Sequence, residues 1–112
     1  MISYHNKTFR PIQNSENGET SPDTRFHYSQ EGNIVTAIYT GGNVLKGHLI
    51  GLVNDQGIIN MCYHQVNDKG VLMTGRCIST PEYLPGGKIR LHEMWQWTCG
   101  DHSKGTSVIE EV

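Results

Sequence analysis

The chain has 112 residues, with nine Lys and Arg against eleven Asp and Glu and a formal net charge of −2. That length suits a single domain, and the near-neutral balance without runs of like charge gives no electrostatic case for a nucleic-acid or anionic-membrane partner. No apolar run approaches the roughly 20 residues of a membrane-spanning helix, and polar Met1–Arg10 lacks a signal-peptide core. The three cysteines, Cys62, Cys77 and Cys99, therefore read as reduced thiols of a cytoplasmic protein.

In chain order, the first candidate strand is Lys7–Gln13, with Pro11 placing it near an edge or bend. Residues 14–24, "NSENGETSPDT", are polar and rich in breakers, which predicts a loop and a candidate mobile segment. From Arg25 on, short β-rich runs alternate with turn signals. The runs cover 25–30, 34–40, 44–53, 58–65, 71–79, 88–98 and 106–111. The connectors "EGN", "GGN", "NDQG", "VNDKG", "TPEYLPGG" and "CGDHSKG" each carry glycine, the residue that accepts the positive φ of tight hairpins.

No stretch repeats at the helical period, and no connector is long enough to house a crossover helix, so the connections predict antiparallel hairpins. Eight strands in meander order leave exposed edges unless the sheet closes. The predicted fold is all-β: one domain over residues 1–112, a single eight-stranded antiparallel up-and-down barrel whose interior holds side chains or one small ligand. A two-sheet sandwich would need longer crossings than these.

Strand parity assigns faces. In "KIRLHEMWQWT", Ile89, Leu91, Glu93, Trp95 and Trp97 share one face, and the other is mostly polar, so the first faces inward. Phe26, Tyr28 and Gln30 form one inward set, Ile59, Met61 and Tyr63 another, and Leu45, Gly47, Leu49, Gly51 and Val53 a third. For residues 34–40 and 71–79 the parity leaves the inward face open. The resulting interior mixes apolar bulk with a few polar groups, as ligand sites do.

The blocks "GNIVTAIYTGGNVLKGHLIGLV", "MCYHQVNDKG" and "STPEYLPGGKIRLHEMWQWTCGDHSKGTSVIEEV" resemble a family of short bacterial proteins with an avidin-like barrel, from about Phe9 to Val112. The resemblance implies ligand binding by analogy of fold. Members often carry the label N-acetylglutamate synthase, which implies acetyl transfer. The Arg/Gln-x-x-Gly-x-Gly/Ala turn with which that enzyme class cradles a pyrophosphate at a helix N-terminus does not occur here, and no biotin-binding motif can be matched.

The candidate ligand-binding residues are Phe26, Tyr28, Tyr39, Tyr63, Glu93, Trp95 and Trp97. The rings would form walls or orient a ligand through their hydroxyls; equally, they would serve as core packing. Glu93 is a candidate ligand acceptor or, in an enzyme reading, a general acid/base with a tyrosine partner. It reads equally as a structural carboxylate, paired with an interior arginine (Arg25, Arg76 or Arg90, the last of the wrong parity) or turned to solvent by a bulge. Cys62 and His64 share a strand face, but two ligands do not make a zinc site. No metal and no cofactor are implied. A third reading is a homodimer joined through an outward stripe of Ile34, Thr36 and Ile38.

Overall fold

The computed structural model describes residues 2–112. Eight strands, β1 (Lys7–Asn14), β2 (Arg25–Glu31), β3 (Ile34–Gly41), β4 (Val44–Val53), β5 (Ile59–Asn67), β6 (Leu72–Tyr83), β7 (Ile89–Trp97) and β8 (Lys104–Glu111), pair in sequence order. β8 returns to β1 with Phe9 opposite Glu111 and Asn14 opposite Ser107, closing the barrel. Closure satisfies every edge without a long-range crossover, the outcome that glycine-bearing hairpins between short strands favour. The "EGN" and "GGN" turns use Gly32 and Gly42 at φ +61°, where a side chain would be strained.

The inward faces follow parity. Val35, Ala37 and Tyr39 of β3 are buried, while Ile34 and Ile38 are exposed on the outer wall, which settles the face left open there. On β6 the inward set is Gly75, Cys77 and Ser79. One expectation fails: Leu45 is 59% exposed, and Val44 is buried instead. The register of β4 against β5 shifts between Val44 and Lys46, and a bulge of one residue turns the side chains before it to the other face.

β6 also runs on to Tyr83, through residues expected to form a connector. Beyond Ser79 it pairs only with β7, where Pro81 lies opposite Leu91. With one neighbour only, proline's missing N–H leaves no ladder bond unmade. β5 likewise extends to Asn67, whose Oδ1 accepts the backbone N–H groups of Lys69 and Val71 and shapes the turn into β6.

The barrel has two different ends. The N-terminal segment crosses one of them, where Tyr4 is fully buried. Its ring lies 6.4 Å from Phe9 and 6.0 Å from Tyr28, its N–H donates to Gln30 Oε1 at 2.8 Å, and its hydroxyl donates to the Gly57 carbonyl. This end is therefore sealed by apolar packing with its backbone groups satisfied. The other end carries the β1–β2 loop of residues 15–24, and the cavity lies beneath it.

Candidate functional site: the Glu93 cavity

Glu93 lies inside the barrel because β7 alternates without a bulge. The register sets a serine directly opposite it on each neighbouring strand, Ser79 on β6 and Ser107 on β8. Ser79 Oγ donates to Glu93 Oε2 at 2.7 Å and Ser107 Oγ to Oε1 at 3.0 Å. Burial holds the Glu93 carboxyl above its ordinary value, against the lowering effect of the hydrogen bonds from Ser79, Ser107 and Cys77. The surface Glu93 retains borders the cavity.

The expected arginine partner is not there. Arg25 donates to the carbonyls of Pro22 and Thr24. Arg90 pairs with Glu110 at 2.7 Å. Arg76 is exposed on the outer wall, opposite Cys62 and Gln96. Two serine hydroxyls take the place assigned to a guanidinium, so Glu93 is solvated by dipoles and has no paired cation.

Above Glu93 is a cavity of about 60 Å³. Phe26, Leu49, Met61, Tyr63, Trp95 and Trp97 form its apolar walls, and Tyr39, Gln65 and Cys77 add polar edges. Tyr63 and Trp97 stand edge to face with centroids 5.6 Å apart, and Trp95 is tilted against Trp97 at 5.5 Å. Three of the ring residues face a glycine directly across the ladder: Tyr39 opposite Gly47, Tyr63 opposite Gly75, and Trp95 opposite Gly105. A Cβ at any of these glycines would overlap the opposed ring, so the rings lie down along the wall and leave the axis clear.

The roof is the β1–β2 loop. Glu19 reaches down so that Gln65 Nε2 donates to its Oε1 and Asn67 Nδ2 to its Oε2, both at 2.8 Å. Gln65 in turn accepts from the Tyr39 hydroxyl at 2.9 Å. Trp97 Nε1 donates to the Asn17 carbonyl at 3.1 Å, while the Asn17 amide donates to Ser103 Oγ and the Lys104 carbonyl. A segment expected to be a candidate for mobility is thus tied to three strands.

Six of the seven expected residues, Phe26, Tyr39, Tyr63, Glu93, Trp95 and Trp97, border this cavity. Tyr28 does not. It sits toward the sealed end, 2% exposed, its ring 4.9 Å from Phe9 and its buried hydroxyl without a hydrogen-bond partner. Sequence reasoning missed Glu19, Gln65, Ser79 and Ser107. Gln65 continues the parity of Met61 and Tyr63, and Ser107 that of Ile109, so both were legible within the predicted strands, whereas Asn67 lies two residues past the predicted end of its strand. Glu19 lies in irregular chain that carries no period to read.

Chemically, the site offers the carboxyl groups of Glu93 and Glu19, the Gln65 amide and an aromatic wall. Burial pushes the Cys77 thiol well up, so it stays protonated and is no nucleophile at neutral pH. A closed eight-stranded antiparallel barrel with one sealed and one roofed end is an architecture wide enough to hold side chains or one small ligand. The chain belongs to the avidin-like protein family, whose sequence pattern matches residues 2–112. No protein with a curated description is similar to this sequence.

Proposed function

We propose that this protein binds one compact, partly apolar ligand inside the barrel, in the cavity between Glu93 and the β1–β2 loop. One observation carries the reading: a carboxyl group held by two serines, without a cation, fronts a cavity walled by aromatic rings. A barrel interior that served only as core would be better filled by aliphatic side chains, because every buried polar atom requires a partner. Here Glu93, Gln65 and Tyr39 are retained among the rings, and their polar atoms converge on the same space, the composition of a ligand pocket. The cavity holds about four waters at ~15 Å³ each, which limits a fully enclosed ligand to a few heavy atoms, with any tail leaving past the loop.

The acetyl-transfer reading that the family label suggests has less behind it. Every regular element among the described residues is a strand, so no helix N-terminus offers the donors that would cradle a pyrophosphate.

The test is a thermal-shift and tryptophan-fluorescence survey of compact compounds against the wild type and a Cys77→Phe variant. The larger side chain fills the cavity from its wall. Saturable shifts in the wild type that vanish in a folded Cys77→Phe chain support binding in the interior. Equal shifts in both chains would place the compounds elsewhere and overturn it.

A further inference from the structure

We infer that the ligand presents a compact organic cation, an alkylammonium or guanidinium group, to Glu93 and the indoles of Trp95 and Trp97; the inference rests on the interior-binding reading above. The cavity is bordered by two carboxyl groups, Glu93 at its floor and Glu19 at its roof, and by no Lys, Arg or His. Each carboxyl group is held by neutral donors only, serine hydroxyls for Glu93 and amides for Glu19. With both carboxyl groups ionised, the space carries negative charge that no Lys, Arg or His of its lining offsets, behind low-dielectric walls where Coulomb interactions are stronger than in water.

That field sorts ligand chemistry. An anionic group would meet two carboxylates with no counter-charge and lose its own hydration, a repulsion no ring contact offsets. A neutral ligand would leave Glu93 as it stands. A cation supplies the missing partner, and aromatic faces attract it further through their quadrupoles. Tyr63, Trp95 and Trp97 stand at mutual angles of 59° and 71°, so faces and edges of several rings surround one small volume. That arrangement suits a compact ammonium or guanidinium head, whereas extended stacking needs parallel faces. The volume, a few heavy atoms, matches such a head group.

The test titrates the full chain with methylguanidinium, ethylammonium and tetramethylammonium chlorides, and in parallel with N-methylacetamide as a neutral compound and sodium acetate as an anion, at constant ionic strength. Tryptophan emission and thermal stability are read. Saturable responses confined to one or more of the cations, weakened about tenfold or more by Glu93→Gln, support the inference. Glu19→Gln lies on the surface loop and provides a second variant; a weakening of a few fold is expected there, and it keeps the test decisive where the core variant fails to fold. If N-methylacetamide or acetate saturates while no cation does, the cation assignment falls and interior binding stands. If no compound of any class gives a saturable response, both fall, and the cavity is a packing void. Cation binding that neither variant alters would place the cation elsewhere and overturn the assignment.

Discussion

Trp95 and Gly105 face each other across β7 and β8, and the indole of Trp95 lies over the space that a Cβ on Gly105 would fill. The pair explains how a narrow barrel can carry large rings and still keep a cavity. Tyr39 over Gly47 and Tyr63 over Gly75 repeat the device on β3–β4 and β5–β6. In each case the glycine forfeits some strand stability so that a ring can lie against the backbone.

Replacing Gly105 by Ala should therefore push the Trp95 ring toward the axis. Overpacking of this kind costs about 1–3 kcal/mol. The expected result is a lower midpoint in chemical denaturation together with altered tryptophan emission. Gly86→Ala, at a turn where nothing stands within 4 Å of the new Cβ, carries only backbone strain at φ +92° and should leave the emission spectrum unchanged.

Glu93 should give stability a recognisable pH dependence. Its pKa is raised in the folded barrel above the ordinary 4.5, with burial as the largest cause. The folded state then holds its proton more tightly than the unfolded chain does. Stability is fully present below about 4.5 and falls as pH rises from there through the raised folded-state value. Glu93→Gln should flatten the profile across that window and raise stability at neutral pH, as measured by urea unfolding at several pH values. A Gln variant with the wild-type slope would assign the dependence to other groups.

Two of the interior tyrosine hydroxyls, those of Tyr39 and Tyr28, should respond oppositely to deletion. Tyr39 donates to Gln65 at 2.9 Å, so Tyr39→Phe strands a buried amide oxygen and should cost about 1–2 kcal/mol. Tyr28 has a buried hydroxyl without a partner, so Tyr28→Phe should be neutral or stabilising, since removing an unsatisfied polar atom relieves its desolvation penalty. Paired thermal unfolding of the two variants checks the order.

Trp97 joins the cavity wall to its roof through the bond from Nε1 to the Asn17 carbonyl. Trp97→Phe keeps a ring but removes that donor. The β1–β2 loop should open more readily, with faster proteolytic cleavage within residues 15–24 and a stability loss of about 1 kcal/mol. Unchanged cleavage would show that the bonds from Asn17 to Ser103 and Lys104 hold the loop by themselves.

Two of the three thiols, Cys62 and Cys77, should react at separate rates with a chromogenic disulfide. Cys62 is exposed on the outer wall and Cys77 is buried, with burial pushing its thiol well up. Cys62 should react first, and Cys77 only on unfolding or when a roof variant such as Trp97→Phe opens the cavity. Early labelling of Cys77 in the wild type would mean that the roof opens freely.

Much of this fold was legible in one dimension. Alternating faces along short strands, with glycine in every connector, leave closure as the simplest way to satisfy the two edges of an eight-stranded meander, and the side-chain period of two placed Glu93, Trp95 and Trp97 inside. The period also shows where such reading fails: the bulge beside Val44 turned Leu45 outward, because one extra residue inverts a face and leaves no mark in composition. Tertiary structure alone decided what surrounds Glu93. Its partners, Ser79 and Ser107, lie 14 residues away on either side, and only the registers of β6 and β8 bring them opposite. Glu19 arrives from irregular chain with no period at all. Sequence patterns encode which way a side chain points, a local property of the backbone; what it meets there depends on strand register and loop path, which are set only when the barrel closes.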